Sequence, residues 1–157
     1  IETGRFGRTQ IDPESILTFA EGLLGFEQLH RFAIILSENT EPIQWLQAVE
    51  DPMVSLPIIN PFLIKPDYEL DVDDEELRSI GNPASEDVLV VNVTVIPEDI
   101  RTMTVNLSAP ILINLKNRRA RQIIMEYNQP DAIRYPAFAG LVAYYQELEK
   151  AETEEKK

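Results

Sequence analysis

Positions 102 to 108 alternate without a break: Met103, Val105 and Leu107 are apolar, and Thr102, Thr104, Asn106 and Ser108 are polar. A period of two marks a strand with one buried face. Pro110 then interrupts the run, and Ile111, Leu112 and Ile113 resume it. Proline has no N–H to give to a ladder, so Pro110 marks a bulge or an edge. The chain has to build a sheet around this segment. Nothing in the segment supplies a nucleophile, a general base or a set of metal ligands.

Composition bounds what that sheet can belong to. The 157 residues are about one domain's worth on a prior of roughly 150 residues each. A hydrophobic content of 44% supports a sizeable core and argues against disorder of the whole chain. With no cysteine there is no disulfide framework and no thiolate chemistry, which suits a cytoplasmic protein. No signal-peptide pattern is visible. No apolar run approaches the roughly 18 residues of a membrane span. The formal net charge is −13, from 27 acidic and 14 basic residues. Such a surface repels phosphate backbones, attracts basic partners, and in any case keeps a small protein soluble.

Further strands are read from apolar runs between turn residues. Glu2 to Arg5 and Arg8 to Ile11 flank Phe6-Gly7, and Ile16 to Phe19 follows Pro13-Glu14-Ser15. Arg31 to Leu36, Ile43 to Val49 and Val54 to Ile59 come next. Pro57, Pro61 and Pro66 punctuate an extended segment expected at an edge or outside the ladder. Val88 to Ile96 is β-branched, and Ile111 to Lys116 turns at Asn117-Arg118-Arg119 into Arg121 to Tyr127. Successive strands with short connections predict a mainly β, small antiparallel β-barrel-like or sandwich fold.

Two helices are expected. Asp73 with Glu76 three residues later forms a capping-box pattern, and Gly81 before Asn82-Pro83 ends the helix, so it covers roughly 74 to 80. A stripe of Phe138, Leu141, Val142, Tyr145 and Leu148 predicts a C-terminal helix, with Pro136 in its first turn. The expected organisation is a barrel-like domain over 1–136 and a helix with a charged tail over 137–157. Ala151 to Lys157 has no apolar face and is expected to fray.

Motifs for catalysis are missing. The one histidine, His30, cannot build a multi-histidine zinc site, and no cysteine helps it. Asp71-Val72-Asp73-Asp74-Glu75-Glu76 resembles a calcium loop but has Glu76 where glycine is needed and Asn82 where the twelfth ligand is needed. No Gly-x-Ser-x-Gly or phosphate-binding glycine loop occurs. Arg118, Arg119 and Arg121 form the one basic cluster. It is read as a solvated turn pairing with the protein's own acids rather than as a phosphate contact.

Four blocks, in order, resemble the flagellar assembly factor FliW family over roughly 2 to 135. The family's Thr-Phe-Pro-Glu-Gly-Leu-Pro-Gly-Phe-Glu is similar to Thr18-Phe19-Ala20-Glu21-Gly22-Leu23-Leu24-Gly25-Phe26-Glu27, with Ala20 and Leu24 standing where the family has proline. Trp45-Leu46-Gln47 with Glu50-Asp51-Pro52 forms the second block, and Asn60-Pro61-Phe62 with Pro66-Asp67-Tyr68-Glu69 the third. The fourth is Asn106-Leu107-Ser108-Ala109-Pro110-Ile111, Ile113-Asn114, Lys116, Arg118, Arg119 and Gln122. The helix after Pro136 extends beyond the family's usual length.

The resemblance implies a β-barrel-like, non-enzymatic cytoplasmic protein with no cofactor. It implies two protein partners, flagellin and CsrA, the latter a small dimeric RNA-binding repressor of flagellin translation. The acidic surface suits a basic RNA binder, and direct nucleic-acid or membrane binding is not expected. The competing readings are a small acidic hydrolase or cation-binding barrel, and a generic β interaction domain. Asn60, Phe62, Asp67 and Tyr68 are the expected partner contacts, because a proline-rich edge offers unpaired backbone and aromatic anchors. The opposing reading buries Phe62 and Tyr68 in the core.

Overall fold

In a computed structural model, which describes residues 1–155, the strands are β1 (Glu2–Thr3), β2 (Gly7–Arg8), β3 (Leu17–Phe19), β4 (Arg31–Ile35), β5 (Gln44–Ala48), β6 (Ser55–Ile59), β7 (Val88–Val95), β8 (Thr104–Val105), β9 (Ile111–Asn114), β10 (Arg119–Gln122) and β11 (Tyr135–Pro136). The α-helices are α1 (Pro61–Ile64), α2 (Asp74–Ser79) and α3 (Phe138–Glu155). Strands β7, β6, β5, β4, β3, β10 and β9 pair in that order, and β9 pairs back onto β7. The result is a closed barrel of 7 strands. Strands β8 and β11 extend the sheet beyond the ring from β7, and β1 and β2 form a separate hairpin.

Alternation along the ring divides the apolar residues between two cores. Leu17, Phe19, Phe32, Leu46, Ile58, Val91, Ile111, Ile113 and Ala120 cluster together, and every ring strand contributes. This cluster is the barrel interior. Trp45, Ile59 and Leu112, from neighbouring positions, instead join Ile64, Tyr68, Val105, Leu107, Met125 and Leu141. This second core lies outside the ring, under α1, α3 and the strand extension. Filling both faces explains why so short a chain buries so many large side chains.

The opening strand behaves as its pattern requires. Met103, Val105 and Leu107 are buried and Thr102 is exposed. β7 pairs with β8 as Thr94↔Val105 and with β9 as Val91↔Ile111. Asn92 and Val93 therefore face the whole stretch from Asn106 to Pro110, which bulges out. Pro110 sits in that bulge, buried, and its carbonyl accepts from the Ile123 amide at 2.9 Å.

Several expectations are corrected. The sheet is not wholly antiparallel, since β3 and β10 pair in parallel as Thr18↔Arg119 and Phe19↔Ala120. Pro57 is not at an edge; it lies within β6, opposite Trp45. The β6–β7 ladder stops at Ile58↔Val93, one residue short of Pro57, where no N–H is available. Pro61 starts a helical turn rather than an extended segment, because Asn60 caps it by accepting from the Phe62 amide at 3.0 Å. Pro136 belongs to β11 and precedes α3.

Helix α2 has the full capping box between Asp73 and Glu76. Helix α3 continues to Glu155, past the expected fraying point at Ala151; Lys156 and Lys157 lie outside the described residues. Burial is confined to the start of its stripe, although the Tyr145 hydroxyl donates to the Glu41 carbonyl further along. Leu141 is buried, Phe138 is half-buried, and Val142, Tyr145 and Leu148 are exposed. A Cβ on Gly140 would lie 2.8 Å from Ile64 Cα, so α3 and α1 touch backbone to backbone.

Candidate partner-docking surface

Residues 69 to 73 alternate in charge and apolarity, and the structure turns that pattern into a groove. Glu69, Asp71 and Asp73 are exposed, whereas Leu70 and Val72 are half-buried. The Asp71 amide faces Met125 Sδ at 3.2 Å, which ties the segment to the second core. Leu70 and Val72, with Phe62 of α1 and Leu77 of α2, line a groove floored by Val88, Val90 and Leu112. Its cavity volume is about 430 Å³. The capping acids Asp73 and Glu76 are engaged with α2, whereas the Asp71, Asp74 and Glu75 side chains, close in sequence to the lining residues Leu70, Val72 and Leu77, are exposed.

The four expected contact residues meet different fates around α1. Asn60 is spent on capping. Phe62 is 39% exposed and leans on the Tyr68 ring, with centroids 5.8 Å apart. Asp67 is exposed and accepts from Lys65 Nζ at 2.6 Å. That hydrogen bond lowers the Asp67 pKa and raises that of Lys65. Tyr68 is a core residue, not a docking residue, at 4% exposure. Its hydroxyl donates to the Leu107 carbonyl and accepts from Asn92 Nδ2 at 3.3 Å. Burial pushes its pKa up to about 12. The ring also meets Tyr127 edge-on, at 5.1 Å.

The premise of an unpaired proline-rich edge therefore fails, and Phe62 instead lines an apolar groove open to solvent. Sequence reasoning missed Leu70, Val72 and Leu77 as groove residues. The signal was present in the alternation from Glu69 to Asp73, but helix capping absorbed the whole acidic run.

Elsewhere the chemistry is plain. His30 Nδ1 lies 2.8 Å from the Phe19 carbonyl. Arg118 Nε donates to the Glu14 carbonyl at 3.1 Å. Among the described residues, the arginine cluster makes no pairing with acidic side chains, contrary to expectation. No group of three His, Cys, Asp or Glu arranged to hold a metal occurs among them. No described helix is long and apolar enough to cross a membrane.

Comparison with known proteins gives one consistent result. The sequence model of the family described as "FliW protein" matches residues 1–137. The flagellar assembly factor FliW of Caldicellulosiruptor saccharolyticus is 41% identical over 136 residues, covering 87% of this chain and 88% of that relative. That of Pseudothermotoga lettingae is 44% identical over 123 residues, covering 78% of each. A crystal structure of the flagellar assembly factor FliW superposes with a TM-score of 0.77 at 29% identity, covering 87% of this chain and 93% of the other. The chain belongs to the FliW family of flagellar assembly factors.

Proposed function

We propose that this protein is a non-enzymatic regulator that binds flagellin and, when free of it, CsrA in the cytoplasm. By holding CsrA it relieves repression of flagellin translation and couples synthesis to export. Family membership over residues 1–137 carries the reading. The groove beside Phe62 supports the CsrA half of it. An apolar groove with exposed acids close to its lining residues in sequence fits a basic surface, with apolar contact supplying affinity and charge supplying orientation and encounter rate.

Titration calorimetry against purified CsrA and purified flagellin tests the proposal. Saturable binding of both is expected, with flagellin competing against CsrA. Failure to bind either would reduce the chain to a β interaction domain of another specificity.

A further inference from the structure

We propose that the open mouth of the barrel is a second docking site, which takes a protein segment carrying a large apolar side chain beside a carboxylate. The inference does not depend on which partners the family reading names.

The mouth exists because the ring splays there. Beyond Ile58↔Val93 the β6–β7 ladder ends, so Thr94 and Val95 keep only β8, on the opposite edge of β7, and their β6 side is left unpaired. The interior faces of Leu56 and Val93 are left as walls. The loop from Phe19 to Glu27 forms the third side. Gly22, at φ +68°, lets it turn back so tightly that a Cβ would lie 2.6 Å from the Glu27 carbonyl. Leu23, 2% exposed, seals the bottom.

The resulting cavity is about 270 Å³. That falls just short of the roughly 300–1,000 Å³ of small-molecule pockets and suits an anchoring side chain. Around it stand large apolar side chains that a free surface would not favour: Leu24 at 52%, Val95 at 63% and Ile133 at 65% exposure.

Arg134 is the charged residue among those lining the cavity, and the exposed Glu21 and Glu27 of the loop are not among the lining residues. Arg134 is itself exposed. Among the described residues no carboxylate lies within ion-pair distance of it. Glu126 and Asp131 line the depression on its other flank. A cation left unneutralised beside an apolar cavity, on a chain of net charge −13, is complementary to a carboxylate held next to the anchoring side chain.

Amide chemical shifts of the full chain, titrated with acetyl-Gly-Phe-Glu-Gly-amide, acetyl-Gly-Phe-Lys-Gly-amide and sodium octanoate, test this. The Glu peptide should shift Leu24, Val95, Asn106 and Ile133, and bind about fivefold tighter than the Lys peptide, the scale of an exposed ion pair. Arg134→Glu should reverse the preference, and raised salt should erase it in the unmodified protein. Three results would overturn the proposal: shifts centred elsewhere, a preference unmoved by both Arg134→Glu and salt, or octanoate binding the mouth at least as tightly as the Glu peptide.

Discussion

The backbone amide of Leu24 donates to Oε1 of Gln122 at 2.9 Å, across 98 positions of sequence. The same Gln122 side chain donates through Nε2 to the Ala109 carbonyl at 3.2 Å. One amide thus joins the loop after β3 to β10 and to the bulge at Pro110. A proline at position 24 could not make the first bond. Gln122→Ala should lower stability by about 1 kcal/mol, the net worth of a typical hydrogen bond. Amide exchange at Leu24 should accelerate well beyond that of the β4–β5 ladder. Exchange at Leu24 that matches the unmodified protein would show that the bond does not hold the loop.

The end of α2 depends on a second pair of side-chain amides. Asn114 Nδ2 and Asn117 Nδ2 donate to the Ile80 carbonyl at 2.7 and 3.0 Å. The next residue, Gly81, has φ +90°, and a Cβ there would meet Asn117 Nδ2 at 2.5 Å. Gly81→Ala therefore adds backbone strain and displaces a capping donor. A loss of about 2 kcal/mol is expected in denaturant unfolding. Asn117→Ala should recover part of it when combined, because the clash then disappears. Purely additive costs would refute the contact.

These two cases show what was legible in the sequence. A mainly β class, the larger strands in their order along the chain and the α2 cap were readable, because alternation and capping are local signals; the choice of barrel over sandwich came from the family resemblance. The Met103 to Leu107 alternation predicted burial correctly although only Thr104 and Val105 formally pair. Closure was not readable, since it requires the parallel β3–β10 pair, whose partners lie far apart in sequence. Pro57 misled because proline reports one missing N–H and not which neighbour is lost. Tyr68 misled because the hydrogen bonds that satisfy its hydroxyl come from Leu107 and Asn92, on distant elements.

Tyr68 gives a pH prediction. Burial raises its pKa from 10.0 to about 12, so the fold favours the neutral phenol. Unfolded chains lose that proton first. Over the window from about 10 to about 12 the unfolded state binds fewer protons, and stability falls as pH rises. The contribution is complete below the lower limit. Tyr68→Phe should cost about 1 kcal/mol at neutral pH through the lost hydrogen bonds, yet lose less stability than the unmodified protein on going from pH 8 to 11. Parallel alkaline losses in the two proteins would exclude Tyr68 as the source.

Helix α3 should divide into a structural start and a dispensable end. Leu141 is buried against the second core, and Gly140 touches Ile64. Leu141→Ala is expected to cost about 2–3 kcal/mol. Removing residues 149–157 should change stability by less than about 0.5 kcal/mol, because the described side chains there are exposed. A large loss on truncation would mean that the distal helix is held by contacts of its own.

The proposed antagonism of CsrA should act chiefly through charge. An acidic body docked beside a phosphate-binding surface repels RNA without filling that surface. Screening limits this to roughly 8–10 Å at physiological salt, so docking must bring the acids close. The structure identifies which acids are free to act: Asp71, Asp74 and Glu75 are exposed, whereas Asp73 and Glu76 are committed to the α2 cap. Asp71→Asn, Asp74→Asn and Glu75→Gln combined should therefore leave the fold intact and reduce RNA release from CsrA, if these acids face the RNA. Phe62→Ala removes an apolar contact instead. It should weaken CsrA binding by about 1–2 kcal/mol, with little change in salt dependence. The measurement is RNA displacement from CsrA at a fixed excess of protein, across salt concentrations, for the unmodified chain and both variants. Release that ignores salt and the triple neutralisation would reject repulsion from these acids and leave a shape change in CsrA as the better account.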